Sequence, residues 1–283
     1  MISKFISKKY FFIIFILFIL FLISSISSKN NNSNNIAIVN IDGVILESDK
    51  VVKALDLFNK DDNVKAIILR INSPGGSVAP SQEIYEKVKR IKNDKIKPII
   101  TSVDNMAASG GYYIAIGSDL IIANYGSIIG SIGVIMSYPI AKNLLDNLGI
   151  DFNTYKSGEY KDSGSPYRYN TENDDKYFNE VVDDLHKQFM SEVSIQRNIP
   201  LGQLKEYSQG QIFTGNKAIK IGLVDTIGTF EDALNISKNL ANISGETNLI
   251  YPKVDRGNLL KILLEETKSW VDFFNEIPMY IYK

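Results

Sequence analysis

An α/β domain with largely parallel, buried strands is the fold class that this 283-residue sequence predicts, and three observations predict it. Apolar, β-branched runs alternate with stretches whose apolar residues recur at helical spacing. The strand candidates are nearly continuous in isoleucine and valine, the composition of strands covered on both faces. Two of them run directly into glycine-rich turns that open helical patterns, as strand-helix-strand units do.

In chain order, the first element stands apart from that domain. Residues Tyr10 to Ile23, "YFFIIFILFILFLI", are all apolar and follow Lys4, Lys8 and Lys9. Extended to Ile26, a helix of this length would reach about 25 Å, close to the ~30 Å hydrocarbon core of a bilayer. The preceding lysines place the amino terminus in the cytoplasm and the rest of the chain beyond the membrane. The expectation is therefore a single-pass signal anchor over 1–26 in the cytoplasmic membrane; a cleaved secretory signal is the alternative, with Ser25 and Ser27 at the cleavage spacing. A polar linker, "SSKNNNSNN", fills 27–35.

The folded body is expected over 36–241. Its strands and helices read "IAIVNIDGVI", "VVKALDLFNK", "VKAIILRIN", "SQEIYEKVKRI" and "KPIITSVD", and the alternation continues to about Val224. A long helical stretch, Asn173 to Gln196, interrupts it. The remainder, 242–283, is expected to be a mainly helical extension: "NLLKILLEETKSWVDFFNEI" has apolar residues at helical spacing. It can pack on the body, or lie on a membrane surface or a partner.

Composition narrows the chemistry. There is no cysteine, which excludes thiol nucleophiles, disulfides and thiolate-bound zinc. The one histidine, His186, lies in "VVDDLHKQFM" and reads as a helix-surface residue. A serine nucleophile would therefore need another base, and lysine is the remaining common choice. With 31 basic against 32 acidic side chains, nothing argues electrostatically for nucleic acid.

Candidate chemistry gathers where strands end. "INSPGG" delivers Ser73-Pro74-Gly75-Gly76 into a helix, and bare glycine amides in such a turn can hold an oxyanion. "KPIITSVD" likewise delivers "NMAASGGYYIA", with Ser109 at the start of another helix. Neighbouring parallel strands would set these turns side by side. One could then hold the oxyanion and the other the nucleophile.

Five blocks in order, "INSPGG", "NMAASGGYYIA", "GSIIGSIGVI", "KSGEYKDSGSP" and "GQIFTGNKAIKIGLVD", resemble the signal peptide peptidase A type of membrane-anchored serine proteases. The resemblance runs over roughly residues 36–232 and implies the repeated ββα spiral of the Clp-protease and crotonase superfamily. It implies Ser109 as nucleophile and Lys161 as general base, spaced as in short, single-copy members. It implies Ser131 as the residue that orients the lysine, and the amides of Gly76 and Gly110 as the oxyanion hole, with Gly75 as alternate donor. A lysine base must be neutral, which burial favours. Glu159 and Asp162 flank Lys161, so the reading requires that they face away from it.

The expected activity is hydrolysis of remnant signal peptides or other membrane-proximal peptides, with small or apolar side chains near the scissile bond. No metal or organic cofactor is implied. Expected partners are peptide substrates, the bilayer and further copies of this chain in a ring- or dome-like homo-oligomer, in which neighbouring subunits can complete the dyad. Two other readings remain open on the sequence: a crotonase-like acyl-group enzyme, and a catalytically silent scaffold of the same fold.

Overall fold

The computed structural model describes residues 34–252. The expected anchor, nearly all of the linker and the helical stretch after residue 252 lie outside the described residues. Among the described residues no helix is long and apolar enough to cross a membrane.

The expected α/β domain is observed. Strand β1 (Asn35–Ile45) leads through helix α1 (Asp49–Lys60) to β2 (Val64–Gly76), which leads through α2 (Val78–Asp94) to β3 (Ile99–Ala108). These three strands are parallel neighbours in the order of the chain. Their alternate residues feed two different cores, which is why they read as unbroken apolar runs. Ala37, Val39, Ile67, Leu69 and Ile71 face the main core, which Leu55 of α1 and Ile84, Tyr85 and Val88 of α2 complete. Ile36, Ile38, Ala66 and Ile68 face the other side, where Phe230 and Leu234 of helix α8 (Phe230–Leu240) cover them. Each fully buried valine, leucine or isoleucine among them contributes about 1.5–3 kcal/mol.

Beyond β3 the sheet divides. After the short helix α3 (Gly110–Ala115), β4 (Leu120–Ala123) pairs with the first half of β3, and β5 (Ile128–Gly130) pairs with its last residues, Met106 to Ala108. After β5 come helix α4 (Lys142–Asn147), a 3-10 turn (Glu159–Asp162), the long helix α5 (Glu172–Arg197) and α6 (Leu201–Leu204). Strand β6 (Ile212–Thr214) returns antiparallel to β5, an exception to the expected parallel rule. Helix α7 (Gly215–Lys220) and β7 (Thr226–Ile227), parallel to β4, precede α8. Strand β8 (Asn248–Ile250) then joins the free edge of β1, so the sheet runs past residue 241, where the sequence reading ended the domain.

Two irregularities position the site. One extra residue enters β2 between Asn72 and Gly75, where Pro74, lacking an N–H, is tolerated. β3 carries extra residues between Val103 and Ala107. Both bulges lie just before the glycine-rich turns and re-aim them out of the ladder.

Candidate active site

The two turns meet as the sequence predicts. Gly75 has φ +98°, and a Cβ placed on it would lie 2.6 Å from Gly110 N and 2.7 Å from Ser109 Cβ. Only a residue without a side chain permits this approach. A Cβ on Gly110 would lie 2.3 Å from Ser81 Oγ and 3.4 Å from Gly76 N. The amides of Gly76 and Gly110 are therefore close neighbours beside Ser109.

Their N–H groups are available in a way that others nearby are not. The Gly75 N–H donates to Ser73 Oγ (3.1 Å), whose hydroxyl donates to Gly43 O (2.6 Å). The Ser77 N–H donates to Ile45 O (2.8 Å). Successive amides along a strand turn to opposite sides, so the Gly76 N–H faces away from β1 and toward the second turn. Gly110 is the first residue of α3, where an amide has no acceptor within its helix.

Ser109 itself has φ 50° and ψ −122°, unusual for a residue with a side chain. It is held there from both sides: its N–H donates to Gly130 O (2.8 Å), and its carbonyl accepts the Tyr113 N–H (2.9 Å). A strained serine at a sharp strand-to-helix turn presents its hydroxyl at the surface of the sheet end.

A narrow cleft of about 40 Å³ opens beside Ser109, Gly76 and Gly110. Its apolar walls are Val78 of α2, Tyr113 of α3, Val134 after β5, and Leu185 and Phe189 of α5; Ser81 and Gln82 of α2 are polar members beside Ser109. Tyr113 packs edge-on between Tyr85 and Phe189, with ring centroids 4.8 and 4.9 Å away, which ties the three helices together. Burial pushes the Tyr113 phenol up to about 12, so it remains a neutral donor.

Lys161 sits on the 3-10 turn, exposed, and is not among the residues that line this cleft in the single chain. Its acidic neighbours have partners of their own. Asp162 accepts from Lys156 Nζ (2.7 Å) and from Arg168 Nε and Nη2 (3.0 and 2.9 Å). Glu159 accepts from Asn173 Nδ2 (2.7 Å). The same Arg168 reaches Asp174 through Nη1 (2.5 Å), and Asp174 closes the capping box of α5 with Thr171. The turn that carries Lys161 is thus bolted to the start of α5. The Arg168 guanidinium draws the Asp162 carboxyl down to about 2 and holds Asp174 well below the usual carboxylate range.

Ser131 directly follows β5. It is half-buried with φ 52°, and its N–H donates to Gln211 O (2.7 Å). His186 lies on α5 but is half-buried instead of exposed, and its Nε2 is enclosed without a hydrogen-bond partner. The cleft takes Leu185 and Phe189 from that helix, not His186. Sequence reasoning missed Ser81, Gln82 and the Arg168 clamp; the "TEND" capping box before α5 was the one local signal for the clamp.

Two family models match this chain: peptidase family S49 over residues 91–244 and Clp protease over residues 32–121. A Synechocystis protein named as a protease is 41% identical over 210 residues, covering 74% of this chain and 75% of that protein. An Enterococcus faecium protein named signal peptide peptidase SppA is 39% identical over 216 residues, covering 76% of this chain and 62% of that protein. Among solved structures, the 1510-N membrane-bound stomatin-specific protease, in a serine-to-alanine form, is similar in fold with a TM-score of 0.50. It is 19% identical, and the match covers 79% of this chain and 99% of that one.

Proposed function

The chain belongs to peptidase family S49 and is a serine protease; from that premise we propose that it hydrolyses peptide bonds with Ser109 as nucleophile and Lys161 as general base. The observation that carries the reading is the meeting of the two glycine turns. A strained serine stands beside a pair of inward amides, the arrangement acyl transfer requires.

Ser109 Oγ attacks the carbonyl as Lys161 takes its proton, and the amides of Gly76 and Gly110 hold the tetrahedral oxyanion. Such a donor contributes roughly 10²–10³ in kcat. Lys161 then protonates the leaving amine, and water releases the acyl group from Ser109. Ser131 orients the lysine amine. Gly76 is preferred to Gly75 as donor because the Gly75 N–H is already bound to Ser73. Both matched families are proteases, which favours peptide over thioester substrates.

The dyad is completed between copies of this chain. Lys161 is exposed in the single chain, whereas a lysine base needs burial. The segment that carries it also exposes large apolar side chains: Ile135 is 92% and Tyr155 96% exposed, and Leu144 and Leu148 are exposed beside them. Such a surface suits a neighbouring subunit, which would bury Lys161 against the Ser109 cleft. Anchored through Tyr10–Ile23, the assembly would sit on the extracytoplasmic side of the membrane and take remnant signal peptides or similar segments.

The test is cleavage of a fluorogenic peptide with a small residue before the scissile bond. Ser109→Ala and Lys161→Ala should each abolish turnover while fold and assembly persist. Mixing the two inactive chains before assembly should restore about a quarter of the parental sites if each site draws on two subunits. Activity surviving Lys161→Ala would refute the base assignment, and no recovery on mixing would refute the shared site.

A further inference from the structure

The cleft beside Ser109 is not isolated from the rest of the surface. A larger groove of about 530 Å³ lies between α2 and α5, and it shares two lining residues with the cleft, Gln82 and Tyr113. The groove is otherwise polar: Glu86 of α2 and Lys187, Gln188, Ser191 and Glu192 of α5 line it. Gln82 Nε2 donates to Gln188 Oε1 (3.2 Å) and so bridges the two helices at the boundary. Its side chain also lines the cleft together with Tyr113. One half-buried amide therefore stands between an apolar compartment near the nucleophile and a polar one beyond.

We propose that cleft and groove are two compartments of one channel for a substrate side chain, and that Gln82 is the wall that divides them. The wall limits the residue accepted beside the scissile bond to a small one. This inference rests on the assignment of Ser109 as nucleophile and adds to it a residue that sets specificity. The sizes support it. A volume of about 40 Å³ is near the ~30 Å³ share of one water molecule, so a methyl group nearly fills the cleft. The groove, in contrast, has the volume of an ordinary ligand pocket. Without the Gln82 amide the two join into a passage with an apolar stem and a polar end. The side chain that suits such a passage is long and unbranched.

The experiment compares kcat/KM of the full chain for two fluorogenic peptides that differ only in alanine or methionine before the scissile bond. Gln82→Ala should raise the methionine-to-alanine ratio about tenfold or more, the range in which a pocket distinguishes one or two methylenes. Gln82→Leu keeps the wall's bulk without its hydrogen bond and should retain the parental ratio. An unchanged ratio in Gln82→Ala, or an equal rise in Gln82→Leu, would overturn the proposal. If turnover of a variant is too slow to follow, the rates at which alanine and methionine phosphonate probes label Ser109 give the same ratio. Failure of the alanine probe to label Ser109 in the parent would instead overturn the nucleophile assignment, and this proposal with it.

Discussion

Replacing Gly75 by alanine tests the central contact of the site. The new methyl would stand 2.6 Å from Gly110 N and 2.7 Å from Ser109 Cβ, where ordinary contact begins at 3.4 Å. The two turns must then separate by about 0.7–0.8 Å, a displacement of the size that costs a catalytic site about 10² in rate. Alanine must also adopt φ +98°, which costs about 1–3 kcal/mol. For a body of this size that strain corresponds to a fall in Tm of roughly 2–12 °C. Gly75→Ala should therefore remain folded at 20 °C, with kcat/KM for a small-residue peptide reduced about a hundredfold. Peptide turnover and thermal unfolding on the same preparation would measure both. Parental activity in the folded variant would refute the reasoning, because it would mean that the two turns need not touch.

Two further predictions concern stability. Lys97 is buried and its Nζ donates to three carbonyls, those of Phe58 (2.9 Å), Asn59 (2.8 Å) and Asp61 (2.6 Å), so it closes the carboxy-terminal end of α1. Lys97→Met should cost about 2–3 kcal/mol by leaving these acceptors bare, seen as a lower urea midpoint, while peptide turnover at 20 °C stays parental. Asp162 has a folded pKa of about 2, below its unfolded value near 4, so its contribution is present above pH 4 and is lost as pH falls toward 2. Urea midpoints measured between pH 5 and 2 should decline less steeply in Asp162→Asn than in the parent; identical slopes would show that the Arg168 clamp adds nothing to pH-dependent stability.

Local pattern made much of this legible. The runs that became β1, β2 and β3 are apolar on both faces because apolar clusters on the two sides of the sheet claim their alternate residues, and that demand is written into each run separately. Helices α1, α2 and α5 announce themselves by spacing, and α5 by its capping box as well. The glycines at 75, 76 and 110 were visible as turn residues, and their close approach follows once β2 and β3 are taken as neighbours.

What the sequence by itself determined, then, is the α/β class, the order of the central elements and the pair of turns that meet at Ser109. Each depends on periodicity or turn chemistry within a few residues. Tertiary structure alone decided how β4 and β5 divide the edge of β3, and that β8 closes the sheet beside β1. It alone brought Leu185 and Phe189 over the nucleophile, set Gln82 between two cavities, and left Lys161 exposed on a turn clamped by Arg168. These features arise from packing and hydrogen bonding between residues distant in the chain, and no local pattern encodes which distant partner a side chain will meet.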